Sequence, residues 1–163
     1  MHAAGFRALG ALGAIVATAF VTTVHAGTAE VRFTDPGKFV DAGRGAVETG
    51  RTTAALGEHL TALARQLPAS QVLRVEVLDV DLAGELEWHR SQEIRVLKGR
   101  ADWPRITLRW QLEDGGRPVA SGEDRLSDMA YLQTGPGADG EAFAYEKRML
   151  DRWFAQRFGA PSK

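Results

Sequence analysis

The sequence predicts an α+β domain with two layers, in which helices cover one face of a mixed, mostly antiparallel sheet. Two segments carry apolar residues at helical spacing, at residues 56–67 and 141–158. Residues 72–82 form a run rich in Val and Leu, and residues 105–113 alternate strictly between apolar and polar. Together with weaker strand patterns, these observations predict the order β-α-β-β-β-β-α.

The first predicted strand and the first predicted helix are separated by a loop. Residues 29–34 alternate in polarity, which predicts a short strand, and the Gly-rich residues 38–50 predict a loop. Thr52 or Thr53 is predicted to cap a helix that continues to residue 67, where Pro68 stops it. The predicted core stripe of this helix is Leu56, Leu60, Leu63 and Leu67.

The later strands are predicted to form an antiparallel meander that precedes the last helix. Residues 72–82 are apolar on both faces, which is typical of a central strand, and the first helix can connect it in parallel to the first strand. Gly115-Gly116 predicts a tight hairpin turn. The predicted strands of this half are residues 72–82, 93–97, 105–113 and 119–126, and the last helix is residues 141–158.

The N-terminal 26 residues have the three regions of a cleavable signal peptide. Arg7 supplies the positive charge, residues 8–24 are apolar and uncharged, and Val24-His25-Ala26 fits a cleavage site. This uncharged stretch is short for a membrane span. We therefore expect removal of residues 1–26, a periplasmic location, one domain over residues 27–163, and no stable membrane span after cleavage.

Composition argues against several functional classes. The chain has no cysteine, which excludes disulfides, thiolate metal sites and a cysteine nucleophile. Its formal net charge of −1 indicates no electrostatic footprint for nucleic acid or an anionic membrane. Neither a phosphate-binding glycine loop nor a serine nucleophile elbow is present in the sequence. No cofactor is therefore expected, and the oligomeric state is left open.

Two aspartates at the end of the central strand are the first candidates for a ligand site. Asp79 and Asp81 share one strand face, roughly 7 Å apart. With Glu85 or Asp128 they could hold a divalent cation, or they could divide acid and base roles. The alternative is that they accept bonds from free backbone amides of the following turn and stay solvated. Asp128 also has the position of a cap for a short helical turn.

Trp88 and His89 complete the set of candidate ligand residues. An exposed tryptophan would indicate sugar or peptide binding, whereas packing is the expectation for Trp88 and Trp103 because aromatic residues supply much of a small core. His89 permits a ligand or acid–base role. No second histidine or cysteine lies near it in the sequence, which favours an ordinary surface position.

Five stretches of the chain together resemble a known family. They are Val31-Arg32-Phe33-Thr34-Asp35-Pro36, Lys38-Phe39-Val40-Asp41, Asp79-Val80-Asp81-Leu82-Ala83-Gly84, Trp103-Pro104-Arg105-Ile106, and Tyr145-Glu146-Lys147 with Trp153-Phe154. In this wording the chain resembles a family of uncharacterised bacterial exported proteins, domain of unknown function 3016, over nearly all of the expected mature domain. The resemblance implies export and a single domain, and it implies no activity, cofactor or catalytic residue.

The sequence leaves two functional hypotheses. The first is a non-enzymatic periplasmic domain that binds another protein or a cell-envelope component, with the sheet face of Arg105, Thr107, Arg109 and Gln111 as a candidate surface. The alternative is a small hydrolase, or a protein that binds a divalent cation or other ligand, using Asp79 and Asp81.

Overall fold

A four-stranded mixed sheet with two helices forms the body of the protein. The computed structural model describes residues 26–133 and 141–159, so nearly all of the predicted signal peptide lies outside the described residues. The elements are β1 (Thr28–Phe33), α1 (Gly45–Ala64), β2 (Gln71–Asp81), β3 (Glu85–His89), β4 (Gln92–Val96), β5 (Arg105–Asp114), β6 (Arg117–Ser127) and α2 (Ala144–Phe158), with a 3-10 turn at Pro36–Lys38. The α+β class and the predicted order are confirmed, and the structure adds one short strand, β3.

The main sheet has the strand order β1-β2-β5-β6. β1 pairs with β2 in parallel, and β5 pairs with both β2 and β6 in antiparallel fashion. β2 therefore lies inside the sheet, as its two apolar faces predict. β3 and β4 form a separate antiparallel hairpin, so the strand predicted at residues 93–97 does not join the main meander. In the part of the chain that the structure describes, no helix is long and apolar enough to cross a membrane.

Helix α1 begins earlier than predicted, which corrects the expected loop over residues 38–50. Gly45 is its first residue, and Thr52 and Thr53 lie inside the helix instead of capping it. The buried Thr52 hydroxyl donates to the carbonyl of Ala42 at 2.8 Å. The first turns of α1 lie outside the leucine stripe, so they carry no apolar period for a sequence pattern to detect.

The core lies between the helices and one face of the sheet. The predicted leucine stripe of α1 is buried, and so are Trp110 and Trp153, as their periodicity predicts. The opposite sheet face carries the polar residues of each strand and is open to solvent. The largest core contributions from the strands and α2 are Leu73, Val75, Val77, Val80, Ile106, Leu108, Trp110, Met149, Leu150, Trp153 and Phe154.

A β-bulge in β2 decides which residues of its second half enter the core. The pairing with β5 passes from Val77 to Asp79, so Leu78 is the extra residue. Val80 is consequently buried in the same core as Val77, whereas simple alternation predicts the opposite face for it. The bulge also turns Asp79 and Asp81 away from the core, onto the open face of the sheet.

Candidate functional site

The end of β2 is the centre of a polar junction, built from Asp79–Gly84, the segment around Asp41, Arg95 of β4 and Glu146 of α2. The chain around Asp41 runs beside β2: the Asp41 N–H donates to the Val80 carbonyl at 2.9 Å, and the Leu82 N–H donates to the Asp41 carbonyl at 3.0 Å. The Asp79 carboxylate accepts a bond from the Val40 N–H at 2.9 Å. These bonds continue the sheet by one parallel bridge beyond β1.

Arg95 ties the β3–β4 hairpin to this junction. Its guanidinium donates two bonds to the Asp41 carboxylate, at 2.8 and 3.0 Å, and a third to the Gly84 carbonyl at 3.0 Å. Side chains of Arg95 and Asp41 are only about one quarter exposed, at 25% and 24%. A bidentate, partly buried pair of this kind fixes orientation as well as distance. The hairpin therefore has a defined position relative to α1 and β2.

Glu146 closes the junction from the side of α2. Its carboxylate accepts a bond from the Ala83 N–H at 2.7 Å, and the residue is only 3% exposed. Burial raises the pKa of Glu146, although the Ala83 amide and the charge of Arg95 act in the opposite direction. Glu146 belongs to one of the stretches that resemble the known family, but the sequence did not predict its role, because its partner lies 63 positions away in the chain.

Asp79 and Asp81 lie together at the end of β2, each with a partner of its own. Asp79 holds the Val40 amide, and the Asp81 carboxylate accepts a bond from Arg105 at 2.5 Å. The Arg105 guanidinium also lies 4.6 Å above the ring of Trp103, which is half-buried. Within residues 26–133 and 141–159, no group of three acidic or histidine side chains is arranged to hold a metal ion. The ligand role of these aspartates stays a prediction.

The other candidate residues lie in two separate places. Glu85 and His89 are exposed at opposite ends of β3, and Glu85 contacts Lys98 at 2.7 Å. Asp128 lies beyond β6, where its carboxylate accepts a bond from the Ala130 N–H at 3.2 Å and from Arg152 at 2.6 Å. The first of these bonds confirms the predicted cap of a short turn. The contacts of Asp128 lead towards α2 and not towards β2.

Trp88 is 69% exposed, so the expectation that it packs into the core is wrong. It pairs across the hairpin with Glu93, and the neighbouring pair on the same face is Leu86 with Arg95. This face looks towards α1, because Arg95 binds Asp41 and Arg44 contacts Glu93 at 2.9 Å. Trp88 therefore projects from the side of the hairpin that faces the start of α1.

A groove of about 710 Å³ runs between this hairpin face and the start of α1. We call it the hairpin cleft, and it is lined by Pro36, Gly37, Phe39, Val40, Asp41, Ala42, Gly43, Arg44, Gly45, Ala46, Thr49, Gly50, Thr53 and Leu86. Its wall is mainly apolar or small, with Asp41 and Arg44 as the charged groups. Val40 on the wall and Val47 in the first turn of α1 are each 70% exposed. Apolar residues concentrated beside a cleft are typical of an interaction site.

The open face of the sheet, which includes the predicted surface of Arg105, Thr107, Arg109 and Gln111, is polar. Arg109 lies between Glu76 at 3.0 Å and Glu123 at 3.2 Å. Arg74 similarly contacts Glu30 and Glu113. A shallow depression of about 510 Å³ lies over these residues. Because these charges are already paired with one another, the open face has fewer unpaired groups for contact with a partner than the hairpin cleft has.

A comparison with models of known protein families assigns the chain to a family. Residues 27–156 match the family model described as a protein of unknown function, DUF3016. The chain belongs to this family. The match confirms the resemblance found in the sequence, and it spans every helix and strand of the structure except the last residues of α2. No curated protein and no solved structure matches the chain.

Three of the five stretches that carry the DUF3016 resemblance meet in space at the polar junction. The stretch ending at Asp41, the stretch Asp79–Gly84 and the stretch containing Glu146 are separated along the chain, yet hydrogen bonds join all three. The distinctive residues at the end of β2 thus position the hairpin cleft, even though most of the cleft wall is supplied by residues 36–53.

Proposed function

We propose that this DUF3016 chain is an exported, non-enzymatic periplasmic domain that binds another envelope protein through the hairpin cleft. The observation that carries the proposal is the exposure of apolar side chains in and beside the cleft: Val40 in its wall is 70% exposed, and Val47 of α1 and Trp88 of the hairpin, which do not line it, are 70% and 69% exposed. Exposed apolar side chains lower the solubility of a protein and do not contribute to its core, so their presence favours a role in binding. An exposed tryptophan beside a preformed groove is also the residue type that most often anchors a protein contact.

The chemistry of the cleft favours a protein segment with apolar side chains as its partner. Small residues, among them Gly45, Ala46 and Gly50, make up part of its lining and leave room for bulky groups. The charge of Asp41 is already compensated by its ion pair with Arg95, so this residue presents little unpaired charge to a partner in the cleft. Apolar contacts would then supply the affinity, and the few polar groups would orient the bound segment.

Three observations support export. The sequence of residues 1–26 has the organisation of a signal peptide, and the family match begins at residue 27, directly after the predicted cleavage site. A domain without cysteine also has no thiol that an oxidising compartment would alter.

The proposal is tested by capture from a solubilised envelope fraction of the native host. Trp88→Ala is compared with wild type and with Ile94→Ala, a control that removes an apolar side chain 42% exposed on the opposite face of the same hairpin. We expect a partner that is retained by wild type and by the control and is lost by Trp88→Ala. Equal retention by all three proteins, or no reproducible partner, would contradict the proposal.

A further inference from the structure

Strand β6 forms one border of the main sheet and has a long free edge. It spans Arg117–Ser127, pairs with β5 on one side, and pairs with no other strand of the described chain on its outer side. Every residue of the strand is exposed or half-buried. The opposite border, β1, has only six residues. An edge of this length presents a row of backbone donors and acceptors to any strand that can lie beside it.

Charged residues on an edge normally discourage pairing, because an identical edge would bring like charges together. The order of charges on β6 gives the opposite result for one register. In a two-fold antiparallel pair centred on Asp124, a residue of one copy faces the residue of the other copy that lies equally far from Asp124 on the opposite side. Glu123 of each copy therefore faces Arg125 of the other. Both side chains lie on the open face of the sheet, since they pair with Arg109 and Thr107 of β5. Directly opposite unlike charges stabilise such a pair.

The central residue is compatible with this arrangement. The Asp124 carboxylate accepts bonds from the indole N–H groups of Trp110 and Trp153, at 2.8 and 2.9 Å, and pairs with Arg157. Its charge is therefore neutralised within its own chain, on the helix side of the sheet. Arg125, in contrast, forms no ion pair among the described side chains, so its guanidinium is available to the second copy. Glu123 contacts Arg109 and can accept from both guanidiniums.

We propose that β6 is the interface for a second copy of this chain, and that the two β6 strands pair in antiparallel fashion about Asp124 to join two four-stranded sheets into one of eight strands. The order of charges favours a second copy as the occupant, because the edge is complementary to an identical strand in this register. The inference is independent of the hairpin cleft, because no cleft-lining residue belongs to β6.

Charge reversal tests the interface by sedimentation of protein produced from the complete coding sequence. Glu123→Arg alone and Arg125→Glu alone each place like charges face to face twice, so each should raise the dimer dissociation constant at least about tenfold. Mixing the two variants makes both contacts attractive again and should restore a dimer of mixed composition. Loss of folding cannot imitate that result. A wild-type protein that stays monomeric, or variants that associate as wild type does, would overturn the proposal.

The register is tested separately by cysteine cross-linking in the natively cysteine-free chain. The pairing places Ser121 of one copy opposite Ser127 of the other, at a separation that a disulfide can span. Under mild oxidation the double variant Ser121→Cys/Ser127→Cys should form a covalent dimer, whereas each single variant should not. The two positions lie roughly 20 Å apart along one strand, so they cannot bridge within a chain. Equal cross-linking by a single variant would overturn this register.

Discussion

At the scale of single residues, Asp124 holds the sheet and the last helix together. It accepts the indole bonds of Trp110 and Trp153 and pairs with Arg157, so three donors from β5 and α2 meet at one carboxylate. Burial acts to raise the pKa of Asp124, but the bonds from Arg157 and the two indoles outweigh it, and the pKa lies below its ordinary value. The ionised form is therefore the one that stabilises the fold.

Replacing Asp124 should be strongly destabilising. Asp124→Ala leaves two indole N–H groups and a guanidinium without their acceptor, and we expect a loss of about 3 kcal/mol in the free energy of unfolding. Lys38→Ala is the control: its ion pair with Asp35 is on the surface, with the lysine side chain 81% exposed, and its loss should cost less than about 0.5 kcal/mol. Urea denaturation at one fixed protein concentration measures both, and similar losses would refute the assigned role.

Asp102 should make the free energy of unfolding depend on pH in the acid range. Burial acts to raise its pKa, but bonds from the Lys98 N–H, the Tyr131 hydroxyl and the Arg100 N–H prevail and lower it to about 2. The folded pKa lies below the unfolded one, so the stabilisation is present above about pH 4 and is lost as pH falls towards 2. Asp102→Asn should therefore cost roughly 2 kcal/mol near neutral pH and much less at about pH 2.

Thermal or urea unfolding of wild type and Asp102→Asn across this pH range measures the effect. The two curves of stability against pH should converge on the acid side. A difference between them that is the same at both ends of the range would show that the carboxylate charge of Asp102 does not contribute.

At the scale of elements, the β3–β4 hairpin depends on one arginine for its position. Arg95→Ala removes both bonds to Asp41 and the bond to Gly84. We expect amide hydrogen exchange in residues 85–96 to become roughly 30-fold faster, which corresponds to about 2 kcal/mol of local stability, with little change in β5. Arg44→Ala provides the control, since its side chain is 62% exposed in a single contact with Glu93. Uniform acceleration over the whole sheet would contradict a local tie.

The elements also show where sequence patterns succeed. The alternation over residues 105–113 predicts β5 and its core face, because Ile106, Leu108 and Trp110 are buried against the helices and Leu112 is half-buried on the same side. Gly115-Gly116 predicts the hairpin turn, and both residues have positive φ as such a turn requires. Strand β3 was not predicted, although Leu86 and Trp88 alternate with polar residues as in a strand. The start of α1 was not predicted because its first turns face the cleft and not the core.

The candidate site was harder to predict than the fold, because tertiary contacts create it. Alternation alone misplaces Val80, since one bulge residue, Leu78, reverses the faces of β2 beyond it. The role of Glu146 depends on a partner in a distant part of the chain. The exposure of Trp88 depends on a hairpin that stands apart from the main sheet. The sequence pattern selected Asp79, Asp81 and Trp88 as candidate site residues. Their positions relative to one another could not be predicted, because they depend on how four separate segments of the chain pack together.

At the scale of the whole molecule, the proposed export to the periplasm determines which partners the domain can meet. If residues 1–26 are a signal peptide, protein recovered from the periplasm of the native host should begin at Gly27, which N-terminal sequencing or intact mass measures directly. A variant that carries Arg in place of Leu12 interrupts the apolar stretch and should accumulate in the cytoplasm with Met1 or His2 at its start. Periplasmic recovery of that variant with the same processed N-terminus would contradict the signal.

Site-specific photocross-linking in the native host tests whether the hairpin cleft binds a partner. A photoreactive phenylalanine analogue is placed at position 47, which is 70% exposed in the first turn of α1 beside the cleft, and at position 94, which is 42% exposed on the opposite face of the hairpin. We predict a discrete covalent adduct with another envelope protein from position 47, which disappears when Trp88→Ala is added. Absence of an adduct from position 47, or the same adduct from both positions, would contradict a binding role for the cleft.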